Sequence, residues 1–216
     1  MGDGPQRSGY ASPDTAPSDH GGGTMTDCGE SVLLLDAPFG SGASDCLDRV
    51  LADRPRSVLV VSYDTPADEC VTALRRRSER IDSAAAVAVG PGNDGVAHDS
   101  VRVVSDPADL TGVGIAVTEW LDDRIRDESP VVCLDSLSAM LQYADEKRVF
   151  EFLHAVTGQC RQRDAGFHAH LTPSAHDEQT LATFRVLFDE CDDRRDATAT
   201  DAGGTQVATD GGRETR

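Results

Sequence analysis

The chain of 216 residues contains a single lysine, Lys147. The other cationic residues are arginines, and acidic residues outnumber cations to leave a formal net charge of −18. A surface this acidic repels the phosphates of nucleic acids and anionic lipid surfaces, which sets both aside as partners. The excess of Asp with almost no Lys suits a high-salt cytoplasm, where screening confines charge repulsion to about 3 Å at 1 M salt. Aromatic residues are also scarce, at 5% with one Trp. No apolar run approaches the roughly 20 residues of a membrane span. The first residues offer no signal-peptide apolar region, so the expected location is cytoplasmic. Paired Cys-x-x-Cys motifs are absent. Six cysteines (Cys28, Cys46, Cys70, Cys133, Cys160 and Cys191) are scattered, which argues against a disulfide framework and for a reducing compartment.

The two ends lack apolar periodicity. Residues 1–28 are rich in Gly, Ser, Pro and Asp and read as a disordered extension, with Met25 an alternative start. Residues 193–216 read as a disordered acidic tail. The span between, 29–192, is long enough for one domain with a sizeable core.

Within that span strands and helices alternate. Val32–Leu35 reads as a strand buried on both faces, followed by Ala37-Pro-Phe-Gly-Ser-Gly-Ala-Ser44 and a periodic segment through Cys46, Leu47, Val50 and Leu51. Residues 57–62 give a second strand. Thr65, Pro66 and Asp68 then supply N-cap, first-turn and capping-box signals for a helix with Ala67, Cys70, Val71 and Leu74 on one face. Strands follow at 84–89 and 101–104, then a helix through Val113, Ala116, Val117, Trp120 and Leu121. Residues 131–135 form an apolar strand ending in Asp135. A helix carries Val149, Phe152, Leu153, Val156 and Cys160, and 167–171 is a further strand. Ser174 and Asp177 give a capping-box pattern before a helix through Leu181, Phe184, Leu187 and Phe188. This alternation predicts an α/β fold with a mainly parallel sheet covered on both faces.

Strand, glycine turn and helix form the setting of a phosphate-binding loop, in which backbone N–H groups hold an anion. Against G-x-x-x-x-G-K-[ST], Ala37 replaces the first Gly, Gly42 fits the second, Ala43 replaces the Lys and Ser44 fits the last position. Gly40, Ser41, Gly42, Ala43 and Ser44 are therefore candidate nucleotide contacts without the cation. The same residues also read as a plain tight turn. Asp135 closes V-V-C-L-D-S in the manner of a Walker B segment, where an Asp holds Mg²⁺; Ser44 and Asp135 are the candidate metal ligands. Ligands of open parallel sheets sit beyond the carboxyl ends of the strands, where Asp36, Asp64 and Thr172 also fall.

His168, His170 and His176, beside Asp177 and Glu178, are ligand types that suit zinc, but an H-x-H at a strand end is more commonly hydrogen-bonded structure. Trp120, Leu121, Met140, Leu141 and Tyr143 read as core first and as a subunit-contact face second.

Taken in order, L-L-L-D-A-P-F-G-S-G-A-S, V-L-V-V-S-Y-D-T-P, V-V-C-L-D-S-L-S and H-L-T-P-S-A-H-D-E-Q-T resemble the RecA/KaiC-type ATPase superfamily. The segments L-T-G-V-G-I-A-V-T-E-W-L, C-L-D-S-L-S-A-M-L-Q-Y and A-H-D-E-Q-T-L-A-T are similar to its haloarchaeal halobacterial-transducer-like (HTR-like) branch. The resemblance spans about residues 29–190. It implies a RecA-like three-layer core with ATP and Mg²⁺ between the first loop and the Walker B strand. KaiC-type ATPases commonly carry paired glutamates after the second strand, one of them activating water. Tyr63-Asp64-Thr65 stands here, so Asp64 is the one candidate catalytic carboxylate. The expectation is a degenerate, non-hydrolysing regulatory or signalling domain that binds nucleotide weakly. Two alternatives stay open: an unconventional Mg-dependent ATPase completed by a neighbouring subunit, and an interaction module with an empty cleft. A protein partner or homo-oligomer fits any of the three.

Overall fold

The computed structural model describes residues 29–37, 55–63, 65–77, 79, 81–91, 100–124 and 130–193. Seven strands form one sheet in the order β4-β3-β2-β5-β6-β1-β7. They are β1 (Ser31–Leu35), β2 (Ser57–Ser62), β3 (Ser83–Val89), β4 (Val101–Val104), β5 (Val131–Asp135), β6 (Gly166–Leu171) and β7 (Glu190–Asp193). Every pairing is parallel. Helices α1 (Ala67–Arg77), α2 (Leu110–Asp123), α3 (Leu137–Tyr143), α4 (Glu146–Arg161) and α5 (Glu178–Arg185) connect them.

The strand sequences explain this burial. β1 and β2 are buried at every position, as expected of strands covered on both faces. Side chains alternate between the faces. Leu33, Leu59, Val61, Val87, Val132, Leu134, Phe167 and Ala169 join the core formed with α2, α3, α4 and α5. Val58, Val60, Ala84, Ala86, Ala88 and Cys133 turn the other way to meet Ala67, Cys70, Val71 and Leu74 of α1. The three alanines of β3 let α1 lie close to the sheet.

Caps fix where the helices begin. The side chain of Asp109 accepts from the Gly112 amide at 2.8 Å, and a Cβ at residue 112 would collide with that carboxylate. Asp145 caps α4 through the Arg148 amide at 3.0 Å. Asp177 accepts from the Thr180 amide at 2.7 Å and is the N-cap of α5, so the cap signal belongs to Asp177 and not to Ser174, which lies in a 3₁₀ turn, Pro173–Ala175. That helix ends at Arg185, with Leu187 and Phe188 beyond it.

Two elements were not expected. α3 is nucleated by Ser136, whose hydroxyl accepts from the Ala139 amide at 3.2 Å. β7 is a short, acidic edge strand, Glu-Cys-Asp-Asp, whose exposed charges discourage pairing with further strands. Leu121 and Met140 are buried core and Trp120 and Leu141 pack against it, while Tyr143 is 47% exposed. Burial pushes the Cys160 thiol up to about 12 against the pull of Arg163 and Arg161, so this cysteine serves as an inert apolar side chain. Among the described residues no helix is long and apolar enough to cross a membrane.

Candidate functional site

The strand order creates a reversal between β2 and β5. From β2 the chain proceeds to β3 and β4 on one side; from β5 it proceeds to β6 on the other. Connections that leave in opposite directions open a crevice at the carboxyl ends of the two strands. Asp135 stands at that point, its Cα in register with Ser62.

Backbone pairing carries the sheet up to this edge. The Tyr63 amide donates to the Asp135 carbonyl at 2.8 Å, and the Asp36 amide donates to the Leu171 carbonyl at 2.9 Å. Ser62 turns the chain after β2: its hydroxyl donates to the Thr65 carbonyl at 2.6 Å and accepts from the Thr65 amide at 3.1 Å. That turn brings the Thr65 hydroxyl to 3.4 Å from Asp135 Oδ2. The Asp135–Ser136 peptide is cis.

Behind this edge Tyr63 stacks on Tyr143, with ring centroids 6.2 Å apart. Burial pushes the Tyr63 phenol well above its ordinary range, and the Asp109 carboxylate adds to the effect. Its hydroxyl is buried and finds no partner among the described residues.

Asp36, at the end of β1, is separated from Asp135 by β6 and so lies about 10 Å away across two inter-strand spacings. Its Oδ2 is 2.7 Å from Nδ1 of His170, which is 2% exposed. This pairing follows from the register, which sets β6 beside β1 with His170 opposite Leu34. His168 lies two residues earlier on the same face, opposite Val32 and Cys133. His176 takes a different partner, with Nε2 2.9 Å from Ser138 Oγ. His170 and His176 thus take different partners. Among the described residues no group of three or more His, Cys, Asp or Glu is placed to hold a metal ion.

Of the sequence candidates, Asp135, Asp36 and Thr172 reach the expected edge. Gly40, Ser41, Gly42, Ala43, Ser44 and Asp64 lie outside the described residues. The donor types at the edge, one carboxylate at Asp135 beside the Thr65 hydroxyl, fit Mg²⁺ in kind. That ion commonly takes only one or two carboxylates and completes its shell with water and phosphate oxygens. Three contacts escaped sequence reading: Asp36 with His170, Ser138 with His176, and Tyr63 on Tyr143. The H-x-H spacing signalled a shared face for the first pair, but nothing local identified the partner.

A parallel sheet with β6 inserted between the β1 and β5 edges, and helices on both faces, defines a RecA-like three-layer α/β protein. Within that class the chain belongs to a family of unknown function, DUF7504, which it matches over residues 29–191. A structurally similar protein is that of the structural study of project PH0250 from Pyrococcus horikoshii OT3. It is 12% identical with a TM-score of 0.53, over 80% of this chain and 85% of that one. The flagellar accessory protein FlaH from Methanocaldococcus jannaschii is 11% identical with a TM-score of 0.45, over 76% and 70% of the respective chains. No curated protein matches the chain in sequence.

Proposed function

We propose that this chain is a RecA-like domain that has lost hydrolytic activity and acts as a regulatory or signalling component, binding Mg-nucleotide weakly at the Asp135 edge. The observation that carries the reading is the location of the chain's one lysine. Lys147 lies on α4 with its side chain 85% exposed and its ammonium 3.8 Å from Glu151. It is thus engaged on the helix surface, and Ala43 offers nothing in its place.

In this reading Asp135 and Ser44 hold Mg²⁺, and the amides of Gly40 to Ser44 hold the phosphates. Mg²⁺ supplies charge neutralisation when bound. The Thr65 hydroxyl orients the Asp135 carboxylate. Ala43 carries no charge where the lysine of an active loop would stand, which costs several kcal/mol of transition-state stabilisation, or about 10³-fold in rate, by analogy with a lost oxyanion donor. The resemblance of three segments to HTR-like proteins would place the chain in a haloarchaeal setting. A protein partner or a second copy would then receive the signal.

Calorimetric titration of Mg-ATP into the full chain in molar KCl tests the binding half of this reading. Weak saturable binding, lost in Asp135→Asn and strengthened in Ala43→Lys, is expected, because the new ammonium would face the β- and γ-phosphates. Absence of binding in both the natural chain and a folded Ala43→Lys variant would reduce Ala37 to Ser44 to a simple turn.

A further inference from the structure

The Ser138 hydroxyl lies where three elements meet. It belongs to α3, two residues beyond the end of the Asp135 turn, and is 8% exposed. The Thr172 amide, at the carboxyl end of β6, donates to it at 2.8 Å. Nε2 of His176, in the turn that leads into α5, is 2.9 Å away.

The chemistry of the groups fixes the direction of these bonds. A backbone amide only donates, so Ser138 Oγ is the acceptor toward Thr172. The serine proton then needs an acceptor of its own, and His176 Nε2 is the one that the described residues offer. That requires a neutral imidazole carrying its proton on Nδ1. An imidazolium would present an N–H at Nε2 instead, leaving the buried serine proton without an acceptor, a loss of the order of a hydrogen bond or more. Two carboxylates face the ring and would receive the charged form: Asp177 from its own turn and Glu146 from the start of α4. From α3 the ring meets the Ser138 hydroxyl. The ring thus has two alternative sets of partners, chosen by its charge.

We propose that Ser138 and His176 form a protonation-sensitive latch that ties the turn before α5 to the carboxyl edge of β5 and β6. The latch is closed while His176 is neutral. On protonation the ring leaves Ser138 for Glu146 and Asp177, and the turn is freed from the edge where Asp135 stands. Burial holds the imidazole below its ordinary value against the pull of the two carboxylates, so the neutral, closed form dominates at neutral pH. The folded state then loses stability as pH falls from the ordinary histidine value of about 6.5 toward the lower folded value, and is unaffected by this group above it.

The test uses the full ¹⁵N-labelled chain. Long-range ¹H–¹⁵N spectra of the His176 ring are followed through its titration, together with the protection factor of the Thr172 amide. The expected outcome is an Nδ1–H tautomer at neutral pH, a midpoint below about 6.5, and Thr172 protection falling about five- to tenfold as the ring protonates. Ser138→Ala should raise the midpoint, and His176→Gln, which keeps a polar side chain but does not titrate, should remove the pH-dependent change at Thr172. An Nε2–H tautomer at neutral pH would overturn the latch. So would Thr172 protection that ignores the ring's charge, or a midpoint unmoved in a folded Ser138→Ala variant.

Discussion

Removing the carboxylate of Asp189 tests how the edge of the sheet beside β1 is held. Asp189 precedes β7 and accepts from the Ser31 amide at 2.9 Å and the Ser31 hydroxyl at 2.7 Å. Arg161, in the last turn of α4, donates to its other oxygen at 2.8 Å. The network joins β1, α4 and β7. Burial alone would raise the Asp189 carboxyl, but the bonds from Arg161 and Ser31 outweigh it and hold it at about 2. Against an ordinary 3.8 this corresponds to roughly 2.4 kcal/mol at full strength. The Asp189 side chain is 41% exposed and that of Arg161 47%, so solvent screening trims the contribution to about 1 kcal/mol. A depressed carboxyl stabilises the fold above its unfolded value and loses that contribution as pH falls through the folded one. Urea unfolding of Asp189→Asn and the natural chain in molar KCl should therefore differ by about 1 kcal/mol at pH 6. The gap should close between about pH 4 and pH 2. A gap that persists unchanged at pH 2 would refute the assignment of the effect to the carboxylate.

Other consequences follow from the core and the charge. Phe184 is fully buried and packs on Phe150 at 6.4 Å between ring centroids, so Phe184→Ala should cost about 3–5 kcal/mol in denaturant unfolding; a loss below about 1 kcal/mol would mean that α5 is not an integral part of the core. With a net charge of −18, transfer from molar KCl to about 0.1 M salt lengthens screening to about 10 Å and should lower the melting temperature. An unchanged melting curve would remove the high-salt explanation of the acidity.

The sheet was largely legible because its strands carry their own signal. Five consecutive buried residues in β1 and six in β2 leave a parallel, doubly covered sheet as the natural setting. β7 was not legible, because Glu190, Asp192 and Asp193 follow no apolar alternation and the strand exists by pairing with β1. α3 was missed for a different reason. Its start depends on one hydroxyl at Ser136, and seven residues are too few for a helical stripe. Asp135 was legible from the run before it. Its relation to Thr65 was not, because that contact depends on the Ser62 turn. The Asp36–His170 pair joins residues 134 positions apart and depends on the strand order, which periodicity does not encode.

The central claim is that an Asp135 edge without a lysine has lost catalysis of phosphoryl transfer. Steady-state phosphate release from Mg-ATP by the full chain in molar KCl tests it most directly, measured beside Asp135→Asn to identify the site. The account predicts no release above that of the Asp135→Asn variant. Turnover of about 1 s⁻¹ or faster, in the range of ordinary enzymes, abolished by Asp135→Asn would contradict it.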